Sequence, residues 1–135
     1  MPSDRGGLFG PLSGGSRADA ELSDRAVLQA MLDAERALAV ASARAEIVPE
    51  AAAAAIAAAC DAARFDPGDL GRRAVAAGNP VVPLVRDLTH AVERTAGPEA
   101  ARWVHHGATS QDIMDTAASL VARLLLDHLA DPSAS

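Results

Sequence analysis

Hydrophobic residues recur along this chain at the spacing of helices that bury one face. The clearest stripe follows i, i+3, i+4 spacing over residues 81–92, with Val81, Leu84, Val85, Leu88 and Val92. A second stripe comprises Val27, Leu28, Met31, Leu32, Leu38 and Ala39, and a third comprises Ile113, Ala117, Leu120, Val121, Leu124 and Leu125. The alternating pattern of half-buried strands is missing from the sequence, so the predicted fold class is all-α.

Start and stop signals divide the first half of the chain into three helices. The first helix is predicted from about Ser23, as N-cap, to about Ala45. An alanine-rich helix over residues 50–63 follows Pro49, which suits a first helical position, and carries Ile56 and Cys60 on one face. A third helix begins at Asp66-Pro67 and ends at Gly78.

The second half of the chain is predicted to hold three more helices. The fourth follows Asn79-Pro80 and is broken at Gly97-Pro98. A short helix is expected from about Glu99 to His105, and the last from Ser110 to about Leu129. The last helix has a wide apolar face that nothing later in the sequence could cover, which predicts self-association through this C-terminal helix or packing against residues outside the chain.

Residues 1–19 differ in composition from the rest and are predicted to form a flexible N-terminal arm. They hold half of the glycines together with several Ser and Pro residues. A disordered tail is the favoured interpretation. The alternative is an arm that packs on a neighbour through Leu8, Phe9 and Leu12.

Composition excludes several classes of function. A formal net charge of -6 over 135 residues argues against a nucleic-acid partner. No segment is long and apolar enough to cross a membrane, and the N-terminus lacks the pattern of a signal peptide. The lone Cys60 allows no disulfide within the chain, which fits the reducing cytoplasm, and it is expected to be a core residue. Because all twelve basic residues are Arg, Schiff-base chemistry is excluded.

The densest polar cluster lies where the last helix begins. Thr109 as N-cap and Asp112 three residues later fit a capping box. The free N–H groups at such a helix end carry partial positive charge, so the hydroxyls and amide of Thr109, Ser110 and Gln111 predict a receptor for a small carboxylate. The simpler alternative is a cap with no ligand, in which Asp112 is a structural acceptor.

Other polar residues carry weaker signals. His105 precedes the cap and could bond an anion or transfer a proton near neutral pH. Asn79 precedes the most regular helix, where an N-cap or turn residue is common. No zinc-binding pattern includes His105 or His106, so no metal site is predicted. A serine hydrolase is excluded because its nucleophile elbow is missing from the sequence.

The cluster also resembles a known signature. Residues 105–116, His-His-Gly-Ala-Thr-Ser-Gln-Asp-Ile-Met-Asp-Thr, are similar to the first signature region of the fumarase/aspartase (adenylosuccinate lyase-like) superfamily. Residues 9–12, 23–35 and 78–85 agree with it as well. Within the superfamily, the chain most resembles the N-terminal portion of bacterial 3-carboxy-cis,cis-muconate cycloisomerases, enzymes of protocatechuate breakdown. Adenylosuccinate lyases carry a His-Asp pair where this chain has Asn79-Pro80.

The resemblance implies a domain order and an assembly. Residues 20–109 would be an N-terminal helical domain, and residues 110–135 would start a central helix bundle. The family forms homotetramers in which three subunits build each site. Its later signatures, which hold the acid and base residues, would lie beyond residue 135, so we expect the chain alone to be inactive.

The resemblance also implies a chemistry without metal or other cofactor. Thr109, Ser110 and Gln111 would contact a carboxylate of a small polycarboxylate substrate. His105 would line the pocket, and Asn79 would lie on the substrate side. Three alternatives stay open: another superfamily lyase with a fumarate-like product, a non-catalytic self-associating helical module, and a helix cap without a ligand.

Overall fold

The fold is all-α, as predicted. A computed structural model describes residues 17–131 and residue 133, with side chains from Asp24 onward. These residues form six α-helices and one 3-10 helix, and no strand occurs among them. The helices are α1 (Arg17–Arg44), α2 (Glu50–Ala59), α3 (Pro67–Ala77), α4 (Val81–Ala96), α5 (Pro98–Ala101) and α6 (Ser110–Ala130), and the 3-10 helix is Ala62–Arg64.

Helix α1 is the central element, because both α2 and α6 pack along it. Its buried face carries Leu28, Met31 and Leu32, each nearly inaccessible to solvent. Helix α4 contributes the predicted stripe, with Val81, Leu84, Leu88 and Val92 fully buried and Val85 at the edge of the core. Burying these large side chains provides most of the driving force for folding.

The first helix begins earlier than its predicted start at Ser23. Helix α1 starts at Arg17, so Ser23 lies inside the helix and residues 17–19 of the predicted arm are helical. The preceding residues, Arg-Ala-Asp-Ala-Glu-Leu, mostly favour helix, and a single serine does not interrupt them. The proposed anchors Leu8, Phe9 and Leu12 lie outside the described residues.

Three other predictions of helix boundaries were wrong. Helix α2 ends at Ala59, because Cys60 turns out of the helix. Pro49 is the residue before α2 and not its first helical residue. The predicted helix from Glu99 to His105 is the single turn α5 followed by turns, and His105 has φ 60°, which an α-helix does not accommodate.

The other end signals behave as predicted. The Asp66 side chain accepts bonds from the N–H groups of Gly68 and Asp69 and so caps α3. Gly78 ends α3 in the left-handed conformation, φ 88°, which only glycine adopts without strain. Helix α6 begins at Ser110 and ends at Ala130, one residue past its predicted end.

Helix α6 is buried only in its first half. Ile113 and Ala117 pack into the core beside α1, whereas Leu124, Leu125, Leu126 and Leu129 are 58–80% exposed. A groove of about 380 Å³ runs between α1 and α6, lined among others by Met31, Pro80 and Met114. None of the helices in the described part of the chain is long and apolar enough to cross a membrane.

Candidate anion site at the start of helix α6

The start of α6 has the predicted reciprocal cap. Thr109 Oγ1 accepts from the Asp112 N–H at 3.2 Å, and Asp112 Oδ2 accepts from the Thr109 N–H at 2.9 Å. Asp112 is therefore the structural acceptor that the sequence indicated. The Thr109 N–H is the main reason that the pKa of the Asp112 carboxyl lies below its ordinary value. The cap fixes the backbone of the first turn before any ligand binds.

Two backbone donors at this helix end keep no partner among the described residues. They are the N–H groups of Ser110 and Gln111, which are the first and second residues of the helix. Thr109 and Gln111 are exposed, and Ser110 is half-buried. The Gln111 amide donates to Asp115 Oδ1 at 2.7 Å. A small anion would thus meet the two N–H groups, the Ser110 hydroxyl and the positive end of a 21-residue helix.

His105 lies beside this helix end in an unusual conformation. Its φ of 60° places it in the left-handed region, where histidine is more tolerated than most non-glycine residues. The His105 carbonyl accepts from the Ala108 N–H at 3.4 Å, within the turn that leads into α6. The side chain is only 17% exposed, so the ring lies mostly within the protein.

The partner of His105 lies on α1, 70 positions earlier in the chain. His105 Nδ1 lies 2.5 Å from Oε1 of Glu35 on α1, which is fully buried. This contact raises the pKa of His105, mainly through the hydrogen bond to Glu35, while burial opposes the rise. Asp112 adds a smaller contribution in the same direction. A buried carboxylate and a histidine therefore form a pair directly next to the cap.

Glu35 is the residue of this site that the sequence interpretation missed. It lies on the buried stripe of α1, seven positions after Leu28 and four after Met31. A carboxylate at such a position is rarely buried without a partner. The interruption of an apolar stripe by an acidic residue was the signal, but the stripe alone does not identify a partner 70 positions away.

Asn79 is used by the backbone at the start of α4. Its Oδ1 accepts from the N–H groups of Val81 and Val82 at 2.9 and 3.2 Å, which fits the N-cap or turn role considered from the sequence. The next residue, Pro80, lines the same groove as Met114 of α6. Asn79 thus lies near α6, but its side-chain oxygen is already bonded to the two N–H groups at the start of α4.

The remaining candidate residues do not join the site. His106 is exposed and its ring contacts Trp103 edge to face, with centroids 5.0 Å apart. Within the described residues, no three His, Cys, Asp or Glu side chains are grouped so as to hold a metal ion. Cys60 is fully buried, and burial raises the pKa of its thiol to about 12.

Comparison with known proteins assigns the chain to a family. A family model described as "Lyase" matches residues 15–132. The chain belongs to this lyase family. This assignment confirms the resemblance noted from residues 105–116.

Individual relatives extend the comparison. The chain is 46% identical over 122 residues to 3-carboxy-cis,cis-muconate cycloisomerase of Bradyrhizobium diazoefficiens, covering 90% of the chain and 27% of that relative. It is 49% identical over 117 residues to nitrosuccinate lyase of Streptomyces davaonensis, covering 87% and 24%.

A solved structure matches as well. The fold superimposes on the crystal structure of 3-carboxy-cis,cis-muconate lactonizing enzyme from Pseudomonas putida with a TM-score of 0.78 and 49% identity, covering 90% of this chain and 28% of that one. The chain spans about a quarter of the length of the curated relatives it matches.

Proposed function

We propose that this chain is the N-terminal portion of a 3-carboxy-cis,cis-muconate cycloisomerase and supplies residues that bind a substrate carboxylate. The observation that carries the proposal is the start of α6, where two unpartnered N–H groups lie at the end of a capped helix beside His105. Its support from relatives is the 46% identity to a protein of that name.

Each residue of the proposed site has a distinct part. Ser110 and Gln111 offer backbone N–H groups to a carboxylate, and the Ser110 hydroxyl offers a further donor. Thr109 holds the turn through Asp112 and keeps these donors aligned. His105 lies beside these donors and is a polar side of the proposed substrate site. Asn79 belongs to the substrate side only through its amide nitrogen, because its oxygen caps α4.

These donors suit the chemistry of the reaction. In the lactone-forming direction, one carboxylate oxygen of the substrate bonds to a carbon of its own double bond. The carbon alpha to another carboxylate then gains a proton. Negative charge collects on that second carboxylate as an enolate-like dianion, and fixed N–H donors stabilise it without having to reorient. The proposed site does this without a metal or other cofactor, and proton transfer belongs to residues outside this chain.

The second candidate is a lyase that eliminates beside a carboxylate and leaves a fumarate-like product. The identity of 49% to nitrosuccinate lyase favours it specifically. Loss of a proton and nitrite from nitrosuccinate leaves fumarate, and the same enolate-like charge develops beside a carboxylate. The proposed site would bind that charge equally well, so an assay has to distinguish the two substrates.

The proposal includes an assembly. Residues 20–109 are the N-terminal helical domain, and residues 110–135 begin a bundle that forms a homotetramer in the cytoplasm. Support comes from the exposed leucines of α6, which form an apolar face at the end of an otherwise packed helix. In this assembly the helix face is covered by bundle helices from the rest of the protein and from other subunits.

The test is an assay on the complete gene product. Loss of the ultraviolet absorbance of the conjugated diene of 3-carboxy-cis,cis-muconate is expected. Nitrosuccinate is assayed in parallel by nitrite release. Turnover of nitrosuccinate alone would replace the first candidate with the second. Turnover of neither substrate by a folded tetramer would reject both.

Paired variants connect the assay to this site. Ser110→Ala removes one proposed donor, and its kcat/KM is expected to fall by about 100-fold, as for other fixed donors. Ser119→Ala is the matched control, because Ser119 lies on the same helix and its hydroxyl, among the described residues, bonds only to the Asp115 carbonyl. Equal activity of the two variants would remove Ser110 from the site.

A further inference from the structure

The Glu35 carboxylate is placed where a structural role does not account for it. Its side chain is fully buried on the helix face that carries Leu28 and Met31, yet Oε2 has no hydrogen-bond partner in the described part of the chain. Buried polar atoms are almost always bonded, so an orphaned carboxylate oxygen needs an explanation. A buried ion pair is also a poor source of stability, since desolvation offsets much of the attraction.

His105 is held in a costly conformation at the same point. Its left-handed backbone is unfavourable for a residue with a Cβ, and strain of this kind is concentrated at functional sites. The conformation turns the ring inward, so that Nδ1 meets Glu35 Oε1. In an imidazole, Nδ1 and Nε2 are separated by one carbon and point in diverging directions, so Nε2 points away from the group that Nδ1 contacts. With Nδ1 directed to the buried carboxylate, Nε2 is the nitrogen on the outer edge.

We propose that Glu35 is a positioning residue that keeps the His105 imidazole protonated on both nitrogens, so that Nε2–H is a fixed donor to a second carboxylate of the substrate. The ligand class, a small anion with several carboxylates, rests on the proposed function. The positioning of His105 does not. Under this assignment His105 recognises charge and is not the base of the reaction.

The surrounding charges agree with a cationic imidazole. Glu35 faces His105 from α1, and Asp112 acts on it from α6. Cys60, at the end of α2, lies near Glu35 as a neutral thiol, since burial raises its pKa to about 12. The groups that act on His105 are therefore negative, and the neighbouring thiol adds no further charge. A cation at this position would complement an anion bound at the α6 end.

The first test is nuclear magnetic resonance of the chain with labelled histidine, in which His105→Gln identifies the His105 signal. At pH 6.5, where an ordinary histidine is half protonated, more than half of His105 is expected to carry protons on both nitrogens. As the pH rises, Nε2 should lose its proton first and leave the Nδ1–H tautomer. A neutral ring protonated on Nε2 would overturn the proposal, and this measurement needs no variant of Glu35.

The second test compares two carboxylate-to-amide changes. Glu35→Gln is expected to move the His105 titration midpoint to lower pH, whereas Glu93→Gln, on the exposed face of α4, should leave it in place. An unchanged midpoint in Glu35→Gln would exclude the positioning role. In an active complete protein, Glu35→Gln should also shift the alkaline limb of kcat/KM to lower pH. Inactivity of the complete protein would reject the proposed function and leave the His105 titration as an independent result.

Discussion

Ala62 donates its backbone N–H to the Oε1 atom of Gln29 at 2.8 Å, and this bond joins two segments 33 positions apart. The Gln29 amide nitrogen donates to the Cys60 carbonyl at 3.1 Å and to Asp33 at 2.9 Å. Arg36 donates to the same carbonyl at 2.8 Å. One glutamine of α1 therefore replaces the backbone bonds that α2 gives up when it ends at Ala59.

Removing this side chain should destabilise the turn after α2. In Gln29→Ala the Ala62 N–H loses its acceptor in a partly buried place, while the Cys60 carbonyl keeps Arg36. We expect the free energy of unfolding to fall by about 1–3 kcal/mol, measured by urea denaturation. Gln111→Ala is the control, because that glutamine is exposed, and it should change stability by less than about 0.5 kcal/mol. Equal effects of the two variants would contradict this account of the turn.

The Cys60 thiol should be unreactive in the folded protein. It is fully buried, and its pKa is raised to about 12, mainly by burial, so almost no thiolate exists at neutral pH. A thiol reagent such as iodoacetamide should modify the chain only after denaturation. Ala58→Cys places a thiol on the exposed face of α2 and should be modified once without denaturant. Rapid modification of Cys60 in the native chain would mean that the end of α2 opens readily.

The capping box should stabilise the chain with a defined pH dependence. Thr109→Ala is expected to cost about 1 kcal/mol, and Thr109→Ser should cost less because it keeps the hydroxyl. The pKa of Asp112 is lower in the folded protein than its ordinary 3.8, mainly because of the Thr109 N–H. The stability that the Asp112 carboxylate contributes is therefore present above pH 3.8. It is lost as the pH falls through the pKa that Asp112 has in the folded protein.

That dependence can be isolated with one substitution. Urea unfolding is measured at about pH 5 and at about pH 2. Between these pH values Asp112→Asn should lose less stability than the parent protein, since the variant has no carboxylate to protonate at this position. Asp127→Asn, on the exposed part of the same helix, is the charge-matched control. If Asp112→Asn kept the full acid sensitivity of the parent, the cap would not be its source.

Local chemistry explains which features could be predicted from the sequence. Asp66, Gly78 and Thr109 define helix ends through bonds or backbone angles within a few residues, and all three behave as predicted. The end of α2 depends on Gln29, which lies on another helix, so its position could not be read from the alanine run. The pairing of Glu35 with a residue 70 positions later depends on how α1 packs against the turn before α6.

The same limit applies to the candidate site. Its cap and free donors follow from residues 109–112, whereas the charge of His105 depends on a distant buried carboxylate. An N-cap or turn role was one of the two interpretations of Asn79 from the sequence. In the structure its side-chain oxygen accepts from the Val81 N–H at the start of α4, in agreement with that role. The contacts that could not be predicted from the sequence are therefore those that depend on tertiary packing.

The exposed half of α6 should make the chain associate with itself. Leu125 is 59% exposed and Leu129 is 80% exposed, and four positions separate them, so they lie on the same face of the helix. Covering that face removes apolar surface from water, which favours pairing of copies through α6. Sedimentation of the purified chain should detect an oligomer that dissociates on dilution.

Substitution of that face tests which surface mediates the association. The double variant Leu125→Gln, Leu129→Gln should sediment as a monomer at concentrations where the parent is associated. Val75→Gln is the matched control, because Val75 is 86% exposed but lies on α3, away from the α6 leucines. If the Val75 variant dissociated and the double leucine variant did not, the contact would lie on α3, and the assembly proposed through the bundle helix would be wrong.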